Sequence, residues 1–181
     1  MKATGIVRRI DDLGRIVIPK EIRRTLHIRE SDPLEIYTDR EGQVILKKYS
    51  PMGELVTFAK QYAESLSQVS GHTALIADRD QIIATAGGGK IYQNRELSKR
   101  LEERLYNRES NIASKGDRQF IEIVENDPQE YAHQAFAPII CEGDVIGAVL
   151  LLENDNKSKM GEVEHKLMLS AAAFLGRQME Q

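Results

Sequence analysis

The residues best suited to chemistry are the basic side chains at the start of the chain. The first 29 residues carry eight lysines and arginines against three acidic residues, a net charge of +5. The whole 181-residue chain sums to −3, so the remainder carries −8. A basic segment joined to an acidic body is typical of a protein whose one end contacts a polyanion. Nucleic acid is the leading candidate for that polyanion.

Arginine suits such a contact because it stays charged at any relevant pH. Its planar guanidinium group can donate two hydrogen bonds to a phosphate or to the edge of a guanine base. The residues alone leave an alternative open, in which these arginines form a solvated surface or pair with Asp11, Asp12 and Glu21.

Short elements with tight turns must position these side chains. Extended runs over 4–10 and 15–18 flank a turn in which Gly14 supplies a positive φ, and this pattern predicts a β-hairpin. Pro19 fits the first turn of a helix that we expect over 20–28, with Ile22 and Leu26 on its packed face.

Two further strands complete the first module, over 34–39 and 44–49. Four short strands and one helix in about 50 residues are close to the size at which a lone core is marginal. Arg8 also shares its side of the first strand with Ile6 and Ile10, which does not fit a simple one-sided sheet. Dimerisation by interwoven chains would explain both features.

Ser50-Pro51-Met52-Gly53 marks a boundary, so we predict domains over 1–50 and 51–181. Apolar periodicity in the second domain predicts three helices and five strands. The expected helices cover about 55–69, 94–108 and 163–179, and the expected strands 73–77, 81–85, 120–124, 132–140 and 144–152. An antiparallel sheet with helices packed on it, hence an α+β fold, is the predicted architecture.

No motif in the chain indicates catalysis, a cofactor or a metal. The only cysteine is Cys141, and the four histidines (His27, His72, His133 and His165) lack metal-binding spacing. The run from Gly87 to Lys90 matches neither a P-loop nor a dinucleotide fingerprint, so a flexible strand-to-helix loop is favoured. Apolar runs are too short for a membrane helix and no export signal is evident, which predicts a cytoplasmic location.

The stretch from Gly5 to Leu26, GIVRRIDDLGRIVIPKEIRRTL, closely resembles the DNA-binding module of AbrB-type transition-state regulators. The match continues through DPLEIY at 32–37 and VILKKY at 44–49. This resemblance implies a dimeric swapped-hairpin β-barrel that binds double-stranded DNA, with DNA-contacting arginines at Arg8, Arg15, Arg23 and Arg24. Arg9 and Lys20 lie in the same basic segment and complete the predicted site.

Residues beyond 50 resemble the second half of AbrB-type sporulation regulators that carry a GAF-like domain. MGEVEHK at 160–166 and RQME at 177–180 carry that resemblance, and the stretch from Ala137 to Leu150 is GAF-like. It implies a tetramer, formed through the second domain, that activates and represses forespore genes and holds an unidentified small-molecule effector. Two alternatives remain at this stage: an antitoxin that regulates its own promoter, and a GAF-fold enzyme with an attached DNA-binding module.

Overall fold

A computed structural model describes residues 5–26, 28–49, 56–154 and 160–180. It divides the chain into two units, Met1–Tyr49 and Ser50–Gln181. None of the helices within the described ranges is both long and apolar enough to cross a bilayer.

The first unit contains one helix and one β-hairpin. Helix α1 covers Lys20–Thr25, strand β1 covers Leu34–Thr38 and strand β2 covers Val44–Lys48. The two strands are antiparallel, in a register that places Ile36 opposite Leu46. Asp39 organises the turn between them, because its Oδ1 accepts the backbone N–H groups of residues 41 and 43 at 2.9 and 2.8 Å.

The predicted strands over 4–10 and 15–18 are wrong for the single chain, although the turn between them is present. Residues 5–10 and 15–18 have no strand structure, whereas Gly14 has φ +77° and donates to the Asp11 carbonyl. A β-strand needs a hydrogen-bonding neighbour, and no described segment of this unit supplies one. Helix α1 also ends at Thr25 rather than at 28, and His27 lies outside the described residues.

Apolar side chains of the first unit face solvent. Among residues 5–26 and 28–49 only Pro19 is buried, and the face of α1 that we expected to pack leaves Leu26 56% exposed. Thirteen large apolar residues of these ranges are exposed: Ile6, Val7, Ile10, Leu13, Ile16, Val17, Leu26, Ile36, Tyr37, Val44, Ile45, Leu46 and Tyr49. Exposed apolar area of this extent marks an interaction surface.

The second unit is a five-stranded antiparallel sheet covered on both faces. Its elements are α2 (Val56–Ser70), β3 (Thr73–Ala77), β4 (Ile82–Ala86), a 3-10 helix (Gly89–Tyr92), α3 (Lys99–Tyr106), β5 (Asn111–Ser114), β6 (His133–Cys141), β7 (Asp144–Glu153) and α4 (Glu162–Gln178). The strand order is β4–β3–β7–β6–β5. Strands β6 and β7 are joined by a tight turn in which Gly143 has φ +88°.

Side chains alternate between two cores because successive residues of a strand point to opposite faces. Ile76 and Leu151 face α2 and α4, where they pack with Met168. Leu75 and Leu150 face the other side, where they pack with residues of α3 and of the segment 120–131. Helix α4 approaches the sheet so closely that a Cβ on Gly176 would lie 2.1 Å from the Ile140 carbonyl oxygen.

Two predicted elements of the second unit differ from the structure. Helix α3 begins at Lys99 rather than at 94, because the Ser98 hydroxyl accepts the Leu101 N–H and caps it. Residues 120–124 form no strand, since the Asp127 carboxylate holds the Ile123 N–H at 2.7 Å. The outer strand at that edge is β5, which the sequence pattern did not reveal.

Candidate nucleic-acid interface

A tight turn presents Arg15 at the tip of the first unit. The Asp11 carboxylate accepts the backbone N–H groups of Leu13 at 3.1 Å and of Arg15 at 2.7 Å. Its other oxygen pairs with the Arg15 Nε at 2.8 Å. The Arg15 side chain remains 69% exposed, so this pair orients the guanidinium while leaving it accessible.

Asp11 stays ionised over a wide pH range. The backbone N–H of Arg15, and then its guanidinium, hold the pKa of the Asp11 carboxyl below its usual value. Each of these bonds favours the charged carboxylate over the protonated acid. The turn therefore keeps a negative charge beside Arg15 at neutral pH.

Helix α1 carries three of the predicted contact residues, Lys20, Arg23 and Arg24. The helix begins at Lys20, directly after Pro19, whose carbonyl accepts the Arg23 N–H at 3.0 Å. Pro19 thus precedes the helix instead of occupying its first turn. Arg23 and Arg24 lie in the last turn, where positive charge interacts favourably with the helix dipole.

The six predicted contact residues differ in exposure. Arg8 and Arg9 lie on the extended arm before the turn, and both are exposed, as are Arg15, Lys20 and Arg24. Arg23 is half-buried, and its Nε is a buried donor that meets no acceptor among the described residues. A buried donor left unpaired costs about 1–3 kcal/mol.

Ion pairing, the alternative that the sequence left open, holds for one of the six. Arg15 pairs with Asp11, whereas the described residues offer no ion-pair partner to Arg8, Arg9, Lys20 or Arg24. Four of the six predicted contact residues are therefore accessible cations without a counter-charge among the described residues, and a polyanion is the ligand that they fit.

Histidines of the second unit have structural partners. The His72 ring contacts the Glu153 carboxylate at 2.5 Å, and His133 contacts the Ser114 hydroxyl at 2.8 Å. Within the described part of the chain, no group of three His, Cys, Asp or Glu side chains is arranged to hold a metal ion.

Comparisons with protein families separate the same two regions. Residues 54–180 match the family model described as stage V sporulation protein T C-terminal, transcription factor. Residues 7–54 match the model described as antidote-toxin recognition MazE, bacterial antitoxin.

Known proteins are similar to each part. Stage V sporulation protein T of Bacillus subtilis (strain 168) is 54% identical over the full length of both chains. The transition state regulatory protein AbrB of the same organism is 40% identical over 112 residues, 62% of this chain and 97% of that protein. The GAF domain of Thermosynechococcus elongatus PixJ, in its blue-light absorbing form, superposes with a TM-score of 0.56 at 11% identity, covering 74% of this chain and 89% of that one.

These findings confirm the predicted α+β fold, with an AbrB-type first unit and a GAF-like second unit. The accessible cations of the first unit agree with the DNA-binding role that such a module implies. The chain therefore belongs to the stage V sporulation protein T family of DNA-binding transcription regulators.

Proposed function

We propose that two copies of the first unit interleave their arms into one swapped-hairpin barrel that binds double-stranded DNA. The observation that carries this proposal is the set of thirteen exposed large apolar residues of the first unit. Six of them lie in the arms, residues 5–18, which form no strand in the single chain. Burying one Val, Leu or Ile side chain contributes about 1.5–3 kcal/mol. Covering about five of them would contribute on the order of 10 kcal/mol, comparable with the stability of an ordinary domain.

Two-fold pairing presents every cation twice on one surface. The proposed contacts are Arg8, Arg9, Arg15, Lys20, Arg23 and Arg24 of both copies. Most of them would neutralise phosphates, so affinity falls steeply as salt rises. Specificity then depends on a few base contacts, for which the oriented Arg15 is suited, and on DNA shape.

The second unit is proposed to join two such dimers into a tetramer. Three rings of α2 and α4 form a cluster in which Tyr62 stacks on Phe174 with centroids 5.4 Å apart and Phe58 lies 6.1 Å from Phe174. Phe174 is 42% exposed, and Val163 on the same helix is 67% exposed. A second copy placed against these helices would cover the exposed apolar area.

Regulation of sporulation genes follows from the relationship to stage V sporulation protein T. We propose that the chain acts in the cytoplasm, on the nucleoid of the developing forespore, as an activator at some promoters and a repressor at others. It is proposed to carry out no catalytic step, and its second unit is proposed to respond to a small-molecule effector.

The antitoxin alternative rests on the match of residues 7–54 to an antitoxin family. Antitoxins of this type usually end in a tail that folds only on the toxin, whereas residues 56–154 and 160–180 form a sheet with packed helices. The other alternative is a GAF-fold enzyme with an attached DNA-binding module. Redox chemistry on that fold would call for several cysteines, and the chain has only Cys141. Both alternatives are therefore weaker than transcription regulation.

Genome-wide DNA occupancy in sporulating cells tests the proposal. We expect discrete occupied sites for the unaltered chain and loss of most of them for the Arg15→Ala/Arg24→Ala double variant at equal protein level. An unchanged occupancy map for that variant, or no occupied sites for the unaltered chain, would contradict it.

A further inference from the structure

A cavity of about 420 Å³ lies at the edge of the second unit, between the start of α2 and strand β4. Its floor is apolar and includes Ile83, Ala84 and Ala86 of β4, together with Val56 of α2. This volume falls within the range of about 300–1,000 Å³ that small-molecule sites occupy.

Two lysines stand at this cavity, and none of its described lining residues is acidic. Lys60 comes from α2 and Lys90 from the 3-10 helix that follows β4. Both are exposed, and neither forms an ion pair with a carboxylate in the described part of the chain. Among the described residues the rim is therefore cationic and without a counter-charge, which favours an anionic group at this end of the cavity.

The strand-to-helix loop predicted over residues 87–90 forms one wall, and a 3-10 helix begins within it at Gly89. A Cβ on Gly87 would lie 2.2 Å from the Ser67 hydroxyl, and one on Gly89 would lie 2.6 Å from Leu75. Gly88 has φ +98°, and a Cβ there would make only an ordinary contact, at 3.8 Å from the Thr73 hydroxyl. Gly87 and Gly89 thus let the backbone pass close to β3, while Gly88 and Gly89 border the cavity.

Gln93 holds the neighbouring wall in place. Its Nε2 donates to the Ile83 carbonyl at 2.9 Å, and its Oε1 accepts from the Thr85 hydroxyl at 3.2 Å. The edge strand is thereby bound to the loop after the 3-10 helix. A wall fixed before binding lowers the ordering cost that a ligand must overcome.

We infer that this cavity binds a small organic anion with an apolar body. The anionic group contacts Lys60 and Lys90, and the apolar body covers the floor made by β4. Only the further step, that such an anion alters DNA affinity, rests on the proposed function. Carboxylates and phosphate monoesters share the required chemistry.

Phenylacetate, phenyl phosphate and phenylacetamide are suitable probes, since they share a ring and differ in charge. Each is added to the full-length chain with labelled Ile and Ala methyl groups, followed by NMR. We expect both anions to shift the methyl signals of Ile83, Ala84 and Ala86 while Ile123, in the opposite core, stays unchanged. The anion that binds more tightly identifies the preferred anionic group. The neutral amide is expected to bind about tenfold more weakly than either anion.

Variants assign the effect to the rim. Lys60→Gln and Lys90→Gln should each weaken anion binding about tenfold, whereas Lys99→Gln, an exposed helix lysine outside the cavity, should not. Equal binding of amide and anions, shifts confined to other methyl groups, or no shifts at a few millimolar probe would overturn the inference. Binding of duplex DNA by the unaltered chain is measured in parallel without any probe. If the chain does not bind the duplex, the proposed function is refuted and the cavity result still stands.

Discussion

Replacing Arg24 by Ala tests how many phosphates the first unit contacts. Arg24 is exposed and forms no ion pair within the described ranges, so its removal leaves no buried charge behind. Because the proposed surface is made by two copies, one substitution removes two phosphate contacts. The slope of log affinity against log salt concentration changes by about 0.9 per phosphate, hence by about 1.8 in total.

This change is large enough to measure. When salt rises fourfold, from about 50 to 200 mM, the affinity of the unaltered chain should fall about twelvefold more than that of the Arg24→Ala variant, given a slope difference of 1.8. Fluorescence anisotropy of a labelled duplex with the full-length chain gives the slope directly. Arg24→Lys should keep the slope, because it keeps the charge, while losing any two-pronged hydrogen bonding.

Arg100→Ala provides the matched control, since it removes an exposed arginine from a helix of the second unit. We expect it to leave the slope unchanged. A slope for Arg24→Ala equal to that of the unaltered chain would refute the reasoning, as would an equal change in Arg100→Ala.

Three further predictions concern the second unit. Gly176→Ala should lower its free energy of unfolding in denaturant titration by about 1–3 kcal/mol, because the new Cβ would lie 2.1 Å from a carbonyl of β6 and the helix-propensity gain of about 1 kcal/mol does not offset that clash. Gly161→Ala, at the N-cap of α4, meets its nearest atom at 3.8 Å and should cost at most about 1 kcal/mol, because Ala is a poorer N-cap than Gly. Ser98→Ala should cost about 1 kcal/mol by removing the cap of α3, and an unchanged unfolding midpoint would show that the cap contributes nothing. Burial raises the pKa of Tyr92 from 10.0 to about 12, so this tyrosine ionises at lower pH in the unfolded chain than in the folded one. The free energy of unfolding should therefore fall as pH rises from 10 to 12. Tyr92→Phe should reduce that fall, and an identical pH profile for the variant would exclude Tyr92 as its source.

Most strands of the second unit follow from its apolar pattern. The predicted strand 73–77 coincides with β3, because alternating burial leaves a clear signal in sequence. Strand β5 escaped notice since Asn111–Ser114 is short and polar, and its pairing with β6 is decided by tertiary contacts. Residues 120–124 have a strand-like composition, yet the Asp127 carboxylate takes the N–H groups that a ladder would need.

The sequence predicted which residues form the candidate DNA site but not how they are arranged. Charge asymmetry and the AbrB-type stretch identify the six basic residues, and five of them are exposed. Sequence alone could not show that Asp11 both shapes the turn and pairs with Arg15, because Asp12 next to it offers the same carboxylate. The arms form no strand because no described segment of the first unit pairs with them, and we propose that a second copy supplies that pairing.

Hydrogen exchange of the backbone amides of residues 5–18 tests the interleaved dimer most directly. Within the single chain these residues form no strand, and a partner copy is the proposed source of their hydrogen bonds. We predict strong protection of the two arms in the full-length chain at micromolar concentration, weakening on dilution. Arms that exchange as fast as an unfolded peptide at every concentration would contradict a DNA-binding surface built from two chains.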